Sequence, residues 1–347
     1  MKENSLELLP LEQWLSSKQH LKDKFPLRNG NYFNRYISIK NWLEENIYHG
    51  IGAATSADDG GIYTDHGPRH FNAVINYAGK LLGLHDNQDD IKADPYEVYL
   101  ILTSILLHDA GNIEGRIEHE KKPFAILTKM GSLATTDVFE RRLISDIAEV
   151  HGGETKDGNK DTIGSKKWED SRNYLGIVYR PNMIAAIVRF ADEICEDRGR
   201  AIKHLVEEDR LPKKSEVFQH YAYAINTVSI DRLDKSIKIE FIIEKKNVCR
   251  KFGKKDEEVY LIDEIMSRLE KMNNERMYCS RFMYEIIQLQ KIKASITIVD
   301  ETYSELKKEE FPLGDTGYPS QSTSLANKYP DWVGNKLEKF FKRQRSV

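Results

Sequence analysis

Apolar residues recur at helical spacing through the first two-thirds of the chain. In "GPRHFNAVINYAGKLLGL" (67–84) they form one stripe, as in a helix with one buried face. The run from Pro95 to about Asp109 follows the helix-capping residue Asp94 and is apolar on nearly every side, which predicts a central helix. The predicted helices cover 37–52, which ends in glycine, 67–84, 95–109, 137–153 and 181–195. The segment 152–176 is polar and predicts a loop.

After about residue 205 the pattern changes from helical spacing to alternation. The segments "INTVSID" and "SIKIEFII" alternate and are joined by a short polar connection, which predicts an antiparallel pair of strands. The remaining predictions are a helix over 258–290, a third strand over 293–299, a loop over 312–324 and a short amphipathic helix over 332–345. The predicted fold is therefore mainly α, a helical bundle with a smaller α+β appendage.

Composition narrows the class of protein without identifying it. A chain of 347 residues with 40% hydrophobic and 31% charged residues is typical of a globular protein, and a net charge of −3 does not indicate nucleic acid as an obligatory partner. The three cysteines lie far apart, so neither a disulfide framework nor a thiolate zinc site is expected. An acidic N-terminus and apolar runs too short to span a bilayer lead us to expect a soluble cytoplasmic protein with no membrane partner.

Histidine and aspartate residues collect at the ends of the predicted helices. His108 and Asp109 end the most apolar helix, His151 lies on an apolar face, and Asp192 lies on the apolar stripe of its own helix. Each alone has an ordinary explanation, because a single histidine on an apolar face is most often a core residue. Asp192 alone could pair with a nearby arginine, Arg189 or Arg198. Together with His70 they would bring several ionisable groups into one core, and a divalent metal is the simplest species that neutralises them.

Five motifs then resemble a known family. "HGPRHFNAV", "LLHDAGN", "IEHEKKP", "EVHGG" and "VRFADEICEDR" occur in the order typical of the HD superfamily of metal-dependent phosphohydrolases, over roughly residues 60–205. Two further histidines, His119 and His151, lie between the HD pair and Asp192. In this spacing the sequence resembles the branch of the superfamily that has a binuclear metal centre. The extent of this resemblance and the change of pattern after residue 205 together predict three regions: an N-terminal helical segment packing on the core (1–59), the HD domain (60–205) and an α+β accessory region with a C-terminal tail (206–347).

The resemblance also assigns roles to individual residues. It implies a first metal held by His70, His108, Asp109 and Asp192, and a second held by Asp109, His119 and His151. Asp109 and His66 are the expected catalytic residues, with His66 as a phosphate contact or general acid. The expected substrate-binding residues are Arg69, Asn112, Arg116 and Arg198, and Asn112 stands where the family often has lysine. The ligand set suits two divalent ions among Mn, Fe, Mg, Co, Ni and Zn.

The expected function is metal-dependent hydrolysis of a phosphoester or phosphoanhydride bond in a nucleotide by a metal-activated water. "ADEICEDR" with "VHGG" resembles HD enzymes that cleave dinucleoside polyphosphates. The alternatives are a dNTP triphosphohydrolase or a single-strand nuclease acting in phage defence, and, from another class, a non-catalytic module that senses nucleotides. A nucleotide is the expected partner, and self-association into a homo-oligomer stays open.

Overall fold

The computed structural model describes residues 7–59, 61–62, 67–84, 91–315 and 324–343. Within them the chain divides into two compact units. The first falls within Met1–Ala54, His66–Cys195 and Cys279–Ile287, and the second within Thr55–Asp65, Glu196–Tyr278 and Gln288–Val347. The predicted three-region division stays a prediction.

Helices dominate the chain up to residue 195. They are α1 (Pro10–Lys18), α2 (Tyr32–Leu43), α3 (His49–Asp59), α4 (Pro68–Leu82), α5 (Pro95–Leu107), α6 (Pro123–Met130), α7 (Val138–Glu149), α8 (Thr162–Ser165) and α9 (Pro181–Glu193). A π-helical turn, Glu44–Tyr48, joins α2 to α3, so the helix predicted to end near residue 52 continues to Asp59. Short 3₁₀ turns include Lys22–Lys24, Ala110–Glu114, His119–Lys121 and Gly131–Leu133.

Helix α5 is the centre of the first unit. Every residue from Pro95 to Leu107 is buried, and α1, α2, α4, α7 and α9 all pack against this helix. Its start is fixed by a capping box, in which the Asp94 backbone N–H donates to the Glu97 carboxylate. The predicted central helix is therefore present, and it places its C-terminal end among the ends of α4, α7 and α9.

One segment expected to be a loop contains regular structure. Between α8 and α9, strands β1 (Arg172–Tyr174) and β2 (Ile177–Tyr179) form an antiparallel hairpin. Its two-residue turn places Leu175 at φ 51° and Gly176 at φ 89°, the left-handed conformations of a type I′ turn. Leucine is an unusual residue at such a position, which is why the turn was not predicted.

The second unit combines helices with small sheets. Its helices are α10 (Lys203–Glu207), α11 (Glu216–Ala224), α12 (Lys245–Val248), α13 (Leu261–Met283, whose last turn belongs to the first unit), α14 (Leu325–Lys328) and α15 (Gly334–Arg343). Its strands are β3 (Ile225–Asp231), β4 (Ser236–Glu244), β5 (Lys251–Lys254), β6 (Glu257–Tyr260), β7 (Lys291–Val299) and β8 (Glu305–Leu313), and 3₁₀ turns lie at Arg198–Arg200, Lys213–Ser215 and Pro330–Trp332. The mainly α fold with a smaller α+β part is confirmed.

The main sheet has the order β3-β4-β7-β8. The predicted antiparallel pair β3–β4 is present, and the predicted third strand β7 pairs in parallel with β4. Strand β8 was not predicted, because it is a highly charged edge strand in which only Phe311 and Leu313 are buried. The helix predicted over 258–290 is wrong at its start, where β6 pairs with β5, and at its end, since α13 stops at Met283. Part of the predicted loop 312–324 lies outside the described residues.

An ion pair between the buried Glu97 and the half-buried Arg180 joins the starts of α5 and α9. Glu97, which is 1% exposed, accepts hydrogen bonds from the Arg180 backbone N–H (3.0 Å), its Nε (2.9 Å) and its Nη2 (2.7 Å). We expect Glu97→Ala to lower the free energy of unfolding by about 2 kcal/mol, because the half-buried Arg180 guanidinium loses its main partner and a helix cap is removed. Urea unfolding measures the change.

The chain offers a matched control for this substitution. Arg180 also approaches the carboxylate of Glu285 at 3.6 Å, and the Glu285 side chain is 56% exposed. Glu285→Ala should cost less than about 1 kcal/mol, as exposed pairs do. Equal losses in the two variants would contradict the role assigned to Glu97.

Candidate metal centre

Side chains with metal-ligand chemistry come from the ends of four helices and one 3₁₀ turn. His70 lies in the first turn of α4, His108 caps the C-terminal end of α5 and is followed by Asp109, and Asp192 lies in the last turn of α9. The other two are His151, two residues beyond the end of α7, and His119, which begins the turn His119–Lys121. The burial of α5 thus places a histidine and an aspartate inside the first unit.

Backbone carbonyls fix the tautomer of three of these histidines. The Nδ1–H of His108 donates to the carbonyl of Ile105 at 2.7 Å, and that of His151 donates to Ala148 at 2.6 Å. His119 makes the same contact with the carbonyl of Arg116, three residues earlier, at 3.0 Å. A carbonyl can only accept, so each Nδ1 carries the proton and each neutral ring offers the lone pair of Nε2.

The first group of ligand atoms converges from α4, α5 and α9. Oδ1 of Asp192 lies 3.1 Å from Nε2 of His70 and 3.6 Å from Nε2 of His108. Oδ2 of Asp109 lies 3.7 Å and 3.6 Å from the same two nitrogens. Two imidazoles and two carboxylates therefore face one another.

The second group uses the other oxygen of Asp109. Oδ1 of this residue lies 3.2 Å from Nε2 of His119 and 3.8 Å from Nε2 of His151. The two groups thus share one carboxylate, with one oxygen directed to each group. This division is what a carboxylate that bridges two ions requires.

The spacings fit divalent metal better than a hydrogen-bonded core. Ligands about 2.1 Å from one ion lie about 3.0 Å apart in an octahedron and about 3.4 Å apart in a tetrahedron, close to the distances found here. His108 is fully buried, and its Nε2 forms no hydrogen bond within the described part of the chain. A buried imidazole nitrogen surrounded by carboxylates at non-bonding distance has the environment of a metal ligand.

The charges in the centre are strongly coupled. Burial raises the pKa of Asp192, but the neighbouring His108 and His70 imidazoles outweigh burial and hold that pKa well below its usual range. Burial also lowers the pKa of His108, yet Asp109 and Asp192 raise it to about 9. His151 differs, since burial and repulsion by His108 lower its pKa to about 4. Without metal, His108 therefore holds a proton against the carboxylates.

Close backbone packing brings His119 to the centre. A Cβ placed on Gly111 would lie 2.1 Å from the carbonyl oxygen of His119, so only glycine permits this approach. Sequence reasoning did not identify Gly111, although this glycine stands two residues after Asp109 in "HDAGN". Glu120 was also missed, and its carboxylate lies 3.5 Å from Nδ1 of His119.

The residues predicted to bind substrate or to act as general acid lie in different parts of the chain. His66 lies outside the described residues. Arg69 and Arg116 are exposed in the first unit, where each is close in sequence to a candidate ligand, and Asn112 is buried, with its backbone N–H donating to the carbonyl of Asp109. Arg198 belongs to the second unit, in which its guanidinium stacks on the Tyr223 ring at 3.9 Å. The roles of these five residues stay predictions.

Arg189, one of the two arginines considered as alternative partners for Asp192, contacts α8 and the end of α7. Arg189 is buried and donates to Thr162 Oγ1 at 2.7 Å and to the carbonyl of Val150 at 3.4 Å. Its guanidinium therefore ties the residue before His151 to α8. Arg189 supports the segment that carries a candidate ligand.

A third cluster of metal-type side chains lies in the second unit. Asp209, Glu216 and His220 offer atoms close enough to share an ion. The Arg250 guanidinium, however, donates to both carboxylate oxygens of Asp209 at 2.9 and 3.1 Å and approaches Nε2 of His220 at 3.3 Å. Lys213 pairs with Glu216 at 2.9 Å. Side-chain cations already neutralise this cluster, so its geometry does not indicate a metal site.

The helical bundle and its histidine–aspartate cluster are those of an HD-type domain. The family model HD-CE matches residues 61–271, and the chain belongs to this family. No curated protein and no solved structure matches the chain. Among the described residues, no helix has the length and apolar character needed to cross a membrane.

The proton on His108 predicts that metal binding depends on pH. At pH 7.5 a histidine with a pKa of about 9 is protonated, so a metal that binds its Nε2 must displace that proton. We expect release of about one proton at pH 7.5, and an apparent affinity that rises up to about tenfold per pH unit between pH 6.5 and 8.5. Calorimetric titration of metal-free protein with Mn²⁺ in two buffers of different ionisation enthalpy measures the proton release, and titrations repeated across this pH range measure the affinity. Affinity that stays constant across this range would contradict the protonated His108.

Proposed function

We propose that this chain hydrolyses a phosphoester or phosphoanhydride bond of a nucleotide and uses two divalent ions to do so. The observation that carries the proposal is the division of the Asp109 carboxylate, with Oδ2 directed to His70 and His108 and Oδ1 directed to His119 and His151. Bound divalent ions would supply Lewis acidity, which activates water and neutralises charge on phosphoryl oxygens. We propose Mn, Fe, Mg, Co, Ni or Zn as the ions.

The exposure of the ligand side chains favours a catalytic centre over a structural one. The side chains of His70 and His108 are fully buried, whereas those of Asp192 and His119 are 27% and 23% exposed. A structural site is closed by protein ligands, while a catalytic site keeps a position for water or substrate. The partly exposed ligands give the centre an open side that an anionic substrate could approach.

Two arginines offer positive charge for the phosphates of such a substrate. Arg69 directly precedes His70, and Arg116 supplies the carbonyl that orients His119. Both are exposed, and guanidinium binds phosphate oxygens in a bidentate manner. We propose that they contact the substrate, together with Asn112 in the turn after Asp109.

Substitution of the central pair tests the proposal. We expect His108→Ala and Asp109→Ala to lose bound metal and to lower hydrolysis by at least about a hundredfold, because each removes a ligand that no neighbour replaces. Elemental analysis and product release measure the two effects. His20→Ala, which changes an exposed histidine, is the matched control and should keep both properties. Full activity in either central variant would rule out the mechanism.

A substrate screen separates an enzyme from a sensor. Protein purified without oxygen would be loaded with each metal and incubated with dNTPs, cyclic nucleotides, dinucleoside polyphosphates and short single strands. Metal-dependent turnover of one class supports the proposal and separates a triphosphohydrolase from a nuclease. Tight nucleotide binding without product under every metal would favour the sensing module.

A further inference from the structure

The Nδ1 atoms of the four histidines in the metal centre face two kinds of partner. In His108, His119 and His151 the Nδ1–H donates to a backbone carbonyl three residues earlier. Nδ1 of His70 lies 3.7 Å from Sγ of Cys195, which is within hydrogen-bonding distance for sulfur. The side chains of both residues are buried.

Cys195 connects two of the helices that carry candidate ligands. Its backbone N–H donates to the carbonyl of Asp192 at 3.0 Å and forms a turn just beyond the end of α9. Its thiol reaches α4, where Sγ also lies 3.9 Å from the backbone carbonyl oxygen of His70. The thiol hydrogen can therefore be directed to this carbonyl, which leaves a sulfur lone pair to accept the Nδ1–H.

The contact matters because His70 has a competing arrangement. Oδ1 of Asp192 lies 3.1 Å from Nε2 of His70, so a ring with its proton on Nε2 could donate to this carboxylate. That tautomer would direct a proton, and no lone pair, toward the metal position. An acceptor at Nδ1 favours the opposite tautomer, in which Nε2 is free to bind metal.

We propose that Cys195 is a positioning residue that holds His70 in the metal-binding tautomer and orientation. The inference rests on the proposed metal centre, in which His70 and Asp192 belong to the same metal site. Cys195 contacts no substrate in this account and acts through His70 alone. It deepens the proposed function by assigning a residue to the assembly of the first metal site.

The experiment compares substitutions that keep or remove the acceptor. Cys195→Ala removes it, whereas Cys195→Ser keeps an acceptor with a shorter bond to Cβ. Cys279→Ala is the matched control, because Cys279 is also fully buried but lies on α13, which carries none of the six candidate ligands. Mn²⁺ and Co²⁺ affinities would be measured by competition with a chelator on full-length, metal-free protein whose folding is checked by thermal unfolding.

We expect Cys195→Ala to weaken the tighter metal site about 10- to 100-fold, the usual cost of removing an outer partner of a ligand. Cys195→Ser should keep affinity within about threefold, and Cys279→Ala should match the wild type. In the Co²⁺-loaded protein, the exchangeable N–H proton signal of one ligated imidazole should be lost in the alanine variant and retained in the serine variant.

The outcomes separate this inference from the proposed function. A wild-type chain that binds no divalent metal would refute the metal centre itself. Normal metal binding in the wild type with unchanged affinity in Cys195→Ala would refute only the positioning role. Equal losses of metal affinity in the alanine and serine variants would also refute it. They would show that the affinity depends on the volume of the sulfur atom and not on a hydrogen bond.

Discussion

The shared carboxylate of Asp109 is the constraint on which the rest of the centre depends. A single aspartate can direct its two oxygens to two pairs of histidines only if the four rings are fixed around it from different elements. The rings are fixed at their outer nitrogens, three by backbone carbonyls and one beside a thiol. Burial of so many ionisable groups without a compensating cation would be unfavourable, so their convergence itself indicates a bound cation.

The packing of the helical bundle places the ligands around Asp109. Helix α5 is buried along its whole length, so the residues just beyond its last turn, His108 and Asp109, also lie inside the first unit. The Glu97–Arg180 pair joins the start of α5 to the start of α9, and these are the two helices that carry His108 and Asp192. Gly111 then allows the chain to turn back so closely that His119 reaches the second oxygen of Asp109.

Periodic features could be predicted from the sequence, whereas contacts between distant segments could not. The apolar stripe of α4 and the capping signal before α5 depend on neighbouring residues, and both predicted the correct elements. Strand β8 escaped prediction because its charged residues carry no alternating apolar signal. The Cys195–His70 contact joins residues 125 positions apart, and the approach of His119 to Gly111 depends on tertiary packing. Helix positions and motif resemblance together supplied the candidate ligands, but only the structure shows that the oxygens of Asp109 divide between two groups.

The most direct test of this account is electron paramagnetic resonance of the Mn²⁺-loaded protein together with its metal stoichiometry. Two ions that share the Asp109 carboxylate would lie close enough to couple magnetically. The account predicts two Mn²⁺ per chain with the spectrum of a coupled pair, and a loss of the coupling in Asp109→Asn. Two ions with the spectra of isolated Mn²⁺, or a single ion per chain at saturation, would contradict the bridging role of Asp109.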